Sequence, residues 1–169
     1  YVRRGTPLAP VLFGAGHEHG LRPGTENVPH IVGLGAAADL ARQRLPAVTI
    51  QLAELRDALH TGLEQAIPGI LLNGHPTHRL PNTLNLSFPG VDGRTLLAAS
   101  PGIAASVGSA CHEDTDSVSG VLGAMGTDTA RALGAVRLSI GTPTTGAEVE
   151  IARRALIEAW RELTRMQNL

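Results

Sequence analysis

Lysine is absent from this sequence: all fourteen basic residues among the 169 are arginine. Schiff-base chemistry on carbonyl compounds uses the amine of a lysine side chain, so this chain cannot form such an adduct through a side chain of its own. The Walker phosphate-binding loop needs its lysine as well. Both kinds of site are therefore excluded for this chain by itself.

Cysteine, aromatic residues, excess charge and long apolar runs are also scarce. The single cysteine excludes an intrachain disulfide and fits a reducing compartment, so we expect a cytoplasmic protein. The net charge of -1 provides no excess of positive charge with which to bind nucleic acid or an anionic membrane. No apolar run approaches the roughly 18–20 residues of a membrane span. Aromatic residues, at 2%, offer few stacking surfaces.

The composition that remains is that of a globular domain. Apolar residues make up 43% of the chain and charged residues 17%, and 169 residues suffice for one domain with a sizeable core. The sequence does not begin with methionine, and its first residues lack the apolar centre of a signal peptide. We therefore expect it to start at an interior point of a longer chain.

The first part of the chain predicts a strand end, a long loop and two helices. Residues 1–4 are interpreted as the end of a strand, and the glycine- and proline-rich residues 5–27 as a shaped loop. Small and apolar residues from Val28 to Leu45 indicate a helix buried on most sides. Pro46 is expected to start or kink the next helix. The apolar stripe of that helix follows steps of three and four: Val48, Leu52, Leu55, Leu59, Leu63 and Ala66.

The second half of the chain mixes strands and helices. Strands are predicted from short or alternating apolar runs at 70–72, 84–88, 103–107 and 136–140. Short helices are predicted at 93–100, 121–125 and 127–133. The polar residues 112–119 indicate a loop. A capping-box pattern, Thr145 followed by Glu148, begins a last helix that runs to about Met166. Together these elements predict an α+β domain preceded by a structured loop.

Cys111 follows a run of small residues and precedes a polar, acidic stretch. Small neighbours give access to a thiol, and His112 can assist proton transfer, whereas Glu113 and Asp114 oppose formation of the thiolate. Free cysteine is also among the most buried residue types. The residues alone therefore leave a nucleophile and a buried structural thiol equally open.

A metal site is the competing use of the same residues. His17 and His19, together with Cys111 and His112, offer soft and hard ligands. Their spacing, however, does not match that of zinc sites. We expect no metal.

Arg137 is a further candidate. If the strand alternates, the Arg137 side chain points away from its apolar neighbours. It is then either a solvated arginine or a residue that binds a carboxylate through two hydrogen bonds.

The loop at 14–27 is the last candidate. The glycine-rich loop runs directly into a helix, and such a junction can hold a phosphate. Thr25 or Asn27 can equally serve as a simple helix cap.

Four motifs, taken in order, are more specific than any one of them. They are Gly-x-Gly-His-Glu-x-Gly-x-Arg-x-Gly-Thr-Glu-Asn at 14–27, Leu-Pro-Asn-Thr at 80–83, Gly-Ser-Ala-Cys at 108–111, and Val-Arg-Leu-Ser-Ile-Gly at 136–141 with Thr-Thr at 144–145. In this order the sequence resembles the pyridoxal-phosphate-dependent cysteine desulfurases of the NifS/IscS type, and the closely similar selenocysteine lyases. The resemblance runs essentially from end to end.

The resemblance implies a role for each candidate. Cys111 matches the cysteine that takes sulfur from the cofactor-bound substrate as a persulfide, and Arg137 matches the arginine that holds the substrate's α-carboxylate. Thr25 matches a threonine that reaches the cofactor phosphate of the neighbouring subunit in the family's homodimer. The implied fold is the small C-terminal domain of a fold-type I enzyme with a short edge of the large domain. Residues 1–27 would belong to the large-domain strand and loop, and 28–169 to the small domain and its connecting helices.

The resemblance also implies what this chain lacks. The cofactor lysine and the rest of the cofactor domain would lie upstream, so we expect no pyridoxal phosphate binding and no turnover by the chain alone. L-Cysteine is the expected substrate, alanine the product, and an iron–sulfur scaffold protein the sulfur acceptor. The acidic stretch after Cys111 leans slightly toward the selenocysteine-lyase pattern, so L-selenocysteine stays open as the substrate. A non-catalytic fragment or persulfide carrier is the remaining alternative.

Overall fold

The structure, a computed structural model, describes residues 1–108 and 119–167. It divides the chain into two compact units, Tyr1–Leu45 and Pro46–Leu169. The helices are α1 (Val28–Ala66), α2 (Gly93–Ala98), α3 (Gly120–Ala124), α4 (Thr129–Leu133) and α5 (Gly146–Met166). The strands are β1 (Leu71–Leu72), β2 (Thr83–Ser87) and β3 (Ala135–Ser139). The α+β class expected from the sequence is confirmed.

Helix α1 contributes to both units and contains Pro46. The sequence predicted that Pro46 starts or kinks a second helix, but α1 runs from Val28 to Ala66 as one helix. Proline lacks the N–H that would bond four residues back, so Pro46 removes one hydrogen bond from the helix without ending it. The start of a separate helix at Pro46 was therefore the wrong expectation.

The three strands form an antiparallel sheet in the order β1-β2-β3. In β2 and β3, Leu84 lies opposite Leu138 and Leu86 opposite Val136, and all four are buried. Because side chains alternate along a strand, one face of the sheet is apolar and the other polar. The apolar face packs into the main core, so the register is held by burial.

The main core lies in the Pro46–Leu169 unit, between the apolar face of the sheet and the helices. From α1 it takes Leu59 and Leu63, and from α5 Leu156. The stripe predicted for α1 is confirmed, with Arg56 as an additional buried position. Helix α5 begins with the predicted capping box, in which the Thr145 hydroxyl accepts from the Glu148 N–H and the Glu148 carboxylate accepts from the Thr145 N–H.

The Tyr1–Leu45 unit has no buried residue, and all of its residues are described. It consists of a loop with a short 3-10 turn at Glu18–Gly20, followed by the first part of α1. Large apolar side chains on that part of α1 are exposed: Val28, Ile31, Val32, Leu34, Leu40 and Leu45. The helix that the sequence predicted to be buried on most sides is thus exposed in this chain.

Two strands predicted from the sequence do not form. Residues 1–4 pair with no strand in the described part of the chain. Residues 103–107 contribute a single antiparallel bridge, Ser106 to Arg137. Just after this bridge the Ser106 hydroxyl donates to the Gly108 carbonyl at 2.7 Å, a local bond of the kind that competes with strand pairing. No described helix is both long and apolar enough to cross a membrane.

Candidate functional site

The polar face of the sheet carries the candidate site. Its side chains on β2 and β3 are Thr83, Asn85, Ser87, Arg137 and Ser139. Asn85 lies directly opposite Arg137, and Ser87 opposite Ala135. Ala135 packs with Ala132 of α4 and Leu122 of α3, so these two helices cover the Ser87 end of the face. The Asn85–Arg137 pair lies next to that covered end.

Arg137 occupies the position that the alternation of β3 predicted. Val136, Leu138 and Ile140 are buried, whereas Arg137 is exposed on the opposite face. Within residues 1–108 and 119–167, its guanidinium has no hydrogen-bond or ion-pair partner. A guanidinium with all its donors free is suited to a bidentate contact with a carboxylate.

Ser106, which precedes Cys111 in the sequence, lies beside Arg137. Ser106 exchanges both backbone hydrogen bonds with Arg137: the Ser106 N–H donates to the Arg137 carbonyl at 3.2 Å, and the Arg137 N–H donates to the Ser106 carbonyl at 2.7 Å. Cys111 itself lies outside the described residues. Ser106 precedes it by five residues, so the segment that bears the thiol starts from the edge of the sheet at Arg137.

A hydrogen-bonded group of polar residues on the same face was missed by the sequence analysis. Asn73, which is 9% exposed, donates through Nδ2 to Asn85 Oδ1 at 2.8 Å and to Ser87 Oγ at 2.8 Å. Arg131 of α4 donates through Nε to Asn73 Oδ1 at 2.9 Å and through Nη2 to the Leu72 carbonyl at 2.7 Å. The polar alternation of β2 pointed to Asn85, but no local signal pointed to Asn73 or Arg131.

Thr25 lies in the Tyr1–Leu45 unit, in the loop before α1. Asn27 serves as the helix cap, because its Oδ1 accepts from the His30 N–H at 3.2 Å. The exposed Thr25 hydroxyl has no hydrogen-bond partner in the described part of the chain. Of the two residues considered as the helix cap, Asn27 is the one that caps α1. The Thr25 hydroxyl is therefore available to bind a ligand.

The backbone donors at the start of α1 are already used. The Val28 N–H donates to the Glu26 carbonyl at 3.0 Å, the Ile31 N–H donates to the Asn27 carbonyl at 3.0 Å, and Pro29 has no N–H. The start of α1 therefore offers a phosphate no free backbone N–H, whereas the Thr25 hydroxyl in the preceding loop has no partner among the described residues. The donors present fit one contact to a cofactor phosphate, whereas the cofactor's aldehyde has no lysine here to react with.

The two histidines of this loop do not form a metal centre with other described residues. His17 Nδ1 pairs with Glu26 Oε1 at 3.2 Å. The pKa of Glu26 lies below its ordinary value, chiefly because of a hydrogen bond to its own backbone and then because of His17. Among residues 1–108 and 119–167, no three histidine, cysteine or acidic side chains are grouped to hold a metal ion. Cys111 and His112, which the metal hypothesis also required, lie outside those residues.

Comparison with known proteins places this chain in a family. Residues 13–151 match the family model for "Aminotransferase class-V". The chain is 42% identical to a cysteine desulfurase IscS of Anaeromyxobacter dehalogenans, covering 100% of this chain and 42% of that protein. It is 44% identical to a human selenocysteine lyase, covering 94% of this chain and 37% of that protein.

A solved structure described as a NifS-like protein superimposes with a TM-score of 0.79 at 36% identity, covering 94% of this chain and 40% of that chain. The chain therefore spans about two fifths of the length of the relatives it matches. These relatives carry the names that the four ordered motifs suggested. The chain belongs to the class-V aminotransferase family and is homologous to its cysteine desulfurases and selenocysteine lyases.

Proposed function

We propose that this chain is the C-terminal portion of a pyridoxal-phosphate-dependent cysteine desulfurase, with Cys111 as the sulfur acceptor and Arg137 as the binding residue for the substrate α-carboxylate. The observation that carries the proposal is the backbone pairing of Ser106 with Arg137. It starts the segment that bears the thiol beside a free guanidinium. In the proposed arrangement, a substrate held by its carboxylate at Arg137 meets a nucleophile that follows Ser106 by five residues in the chain.

The proposed step transfers one sulfur atom. The Cys111 thiolate attacks the terminal sulfur of L-cysteine, an S–S bond forms as the Cβ–S bond breaks, and the electron pair of that bond stays on the substrate carbon. Protonation of that carbon yields alanine and leaves a persulfide on Cys111. When bound in the complete protein, pyridoxal phosphate supplies the electron sink for this chemistry. Arg137 holds the carboxylate through both of its terminal nitrogens.

The Tyr1–Leu45 unit supports the proposal that a cofactor domain completes the site. A unit without a buried residue, bearing a row of exposed apolar side chains on α1, has to pack on other protein surface to be stable. In the proposed arrangement that surface belongs to the cofactor domain and to the second subunit of a homodimer. Thr25 would contact the cofactor phosphate of the partner subunit from this unit. The boundary that the resemblance implies, with 1–27 in the large domain and 28–169 in the small domain and its connecting helices, stays a proposal; the compact units of this chain divide after Leu45.

The chain alone is proposed to be inactive. It contributes no lysine, and at the proposed phosphate contact it offers the Thr25 hydroxyl, which has no partner among the described residues. In the complete protein, a cytoplasmic enzyme, the persulfide would pass from Cys111 to an acceptor such as an iron–sulfur scaffold protein.

Selenocysteine lyase is the second candidate. The human relative at 44% identity carries that name, and the sequence Cys-His-Glu-Asp at 111–114 places two acids two and three residues after the cysteine. Acidic neighbours disfavour a thiolate, and this suits an enzyme whose cysteine discriminates between substrates better than one whose cysteine must attack sulfur.

The variant Cys111→Ser in the complete protein tests the proposal and separates the two candidates. For a desulfurase, alanine formation from L-cysteine falls by roughly 100-fold or more, because the nucleophile is lost. Ser117→Ala, which changes a hydroxyl in the same stretch, serves as the control and keeps its rate. Alanine formation from L-cysteine at an unchanged rate in Cys111→Ser would contradict the sulfur-acceptor role. Retained turnover of L-selenocysteine alone would favour the lyase.

A further inference from the structure

A line of hydrogen bonds crosses the polar face of the sheet and ends beside Arg137. It runs from Arg131 Nε to Asn73 Oδ1 at 2.9 Å, and from Asn73 Nδ2 to Asn85 Oδ1 at 2.8 Å. Asn73 and Ser87, which accepts a second bond from Asn73 Nδ2, are buried. The line joins α4 to the centre of β2, next to the position where Arg137 stands on β3.

The chemistry of Arg131 orients every amide in this line. A guanidinium donates and never accepts, so the atom of Asn73 that faces it has to be the oxygen. The Asn73 nitrogen then faces Asn85, and because that nitrogen donates, the atom of Asn85 that faces it has to be the oxygen too. The Nδ2 group of Asn85 is left on the opposite branch of its amide, with two N–H donors and no acceptor bonded to them in the described part of the chain.

The sheet register places this free amide next to Arg137. Asn73 lies on the β1 side of Asn85, where its N–H donates to the Asn85 carbonyl at 2.9 Å. Arg137 lies on the β3 side, directly opposite Asn85. Both backbone hydrogen bonds of Arg137 go to Ser106, so Asn85 and Arg137 form a non-hydrogen-bonded pair. In such pairs the Cα atoms are about 4.5 Å apart and the side chains are closest.

We propose that Asn85 Nδ2 is a second donor to the substrate α-carboxylate, acting together with Arg137, and that Asn73 and Arg131 are positioning residues for it. This rests on the proposed function, in which Arg137 binds that carboxylate. The neutral amide adds a hydrogen bond without repelling the guanidinium. No acidic side chain stands among the polar residues of this face on β2 and β3, so the two donors meet no competing carboxylate there.

Two substitutions at Asn85 separate binding from structure. Asn85→Ala removes the donor, and the KM of the complete protein for L-cysteine rises roughly 10- to 100-fold with little change in kcat. Asn85→Asp keeps an oxygen to accept from Asn73 but places a carboxylate beside Arg137, so KM rises further than in Asn85→Ala. A merely structural Asn85 predicts the reverse order, with Asp close to wild type and Ala impaired. That order, or an unchanged KM in both variants, overturns the proposal.

Asn73→Asp tests the positioning residue from a distance. Aspartate still accepts from Arg131, but it presents an oxygen to Asn85, whose amide then turns its nitrogen toward residue 73 and its oxygen toward Arg137. KM is expected to rise roughly tenfold while the melting temperature does not fall. Thr61→Val, which removes an exposed hydroxyl from α1 and leaves the polar face of the sheet intact, is the control and leaves KM unchanged. An unchanged KM in Asn73→Asp contradicts the positioning role.

A direct readout uses the complete protein without turnover. Acetate, the simplest carboxylate, is titrated while the side-chain resonances of Asn85 Nδ2 and Arg137 Nε are followed by NMR. The proposal predicts that both shift with the same dissociation constant, and that the Asn85 shift is lost in Asn73→Asp. A shift at Arg137 with none at Asn85 overturns it.

Arg137→Ala distinguishes failure of this inference from failure of the proposed function. If Arg137→Ala raises KM and the Asn85 variants do not, only the inference is wrong. If Arg137→Ala leaves KM unchanged, the carboxylate site is elsewhere and both are wrong.

Discussion

At the scale of single residues, the buried Arg56 shows how a charged side chain can occupy an apolar stripe. It is 8% exposed, donates Nε and Nη2 to Asp57 at 2.8 and 3.0 Å, and donates Nη1 to the Leu80 carbonyl at 2.8 Å. Arg79 shares the same carboxylate at 3.2 Å. The hydrogen bond from Arg56 is the main reason that the pKa of Asp57 lies below its ordinary value. Each of these partners is needed, because an unpaired buried guanidinium is costly.

His60, half-buried near this group, makes stability depend on pH. Its pKa lies below the ordinary value of 6.5, chiefly because of burial and then because of Arg79. The unfolded chain therefore takes up a proton at a higher pH than the folded chain. The folded state with a neutral, half-buried His60 keeps its full stability above pH 6.5. It loses stability as the pH falls below that value, because protons then bind preferentially to the unfolded chain. In urea unfolding at about pH 7 and about pH 5.5, His60→Gln should lose less stability on acidification than the wild type.

The exposed His78 provides the matched control. His78→Gln should keep the wild-type loss of stability between the two pH values. An acid sensitivity in His60→Gln as large as that of the wild type would show that burial of His60 does not produce the effect.

Single residues also show what the sequence was able to predict. The exposure of Arg137 followed from alternation within β3, because a strand of five residues contains that information. The link from Arg131 to Asn73 did not, because the two residues are 58 positions apart and only the folded sheet brings α4 to the end of β1. Asn85 was visible as a polar strand residue, but its partners were not.

At the scale of elements, the entry into β3 depends on close backbone contact. Gly134 accepts from the Phe88 N–H at 2.9 Å, immediately before β3 begins. A Cβ atom at Gly134 would overlap the Phe88 carbonyl oxygen and lie 3.1 Å from the Val91 carbonyl oxygen. Backbone atoms held by a sheet cannot move aside as a flexible side chain can, so this position requires glycine.

Gly134→Ala should lower the free energy of unfolding by about 2–3 kcal/mol, because the loop after β2 has to shift away from β3. Chemical denaturation of the 169-residue chain measures this. Gly123→Ala is the matched control, since a Cβ at Gly123 meets no atom within 4 Å in α3 and alanine favours a helix. Equal stability of the Gly134→Ala and wild-type chains would mean that the backbone contact is not tight.

Elements whose signals are local were predicted well. The capping box of α5 is formed by residues three positions apart, and its prediction is confirmed. The strand predicted at 103–107 does not form because a strand needs hydrogen-bond partners, and in the described part of the chain only Ser106 pairs with a strand. The helix start at Pro46 failed because proline weakens a helix without having to end it when the residues on either side continue the helix.

At the scale of the whole molecule, the two units differ in what holds them. The Pro46–Leu169 unit has a core between its sheet and helices, whereas the Tyr1–Leu45 unit buries nothing. Composition predicted a globular chain with a sizeable core, which is correct for the first of these units only. From the sequence, the apolar side chains in the first part of α1 were expected to be buried, but they are exposed. Hydrophobicity alone does not identify which surface, of this chain or of another, covers a residue.

In the proposed function, Cys111 accepts sulfur from a substrate held at Arg137. The most direct test is mass spectrometry of the Cys111 peptide after one turnover of the complete protein with L-cysteine, followed by alkylation. We expect a peptide heavier by one sulfur atom, in an amount equal to the alanine released, and no such peptide from Cys111→Ser. Alanine release without added sulfur on Cys111, at a rate that Cys111→Ser leaves unchanged, would contradict it.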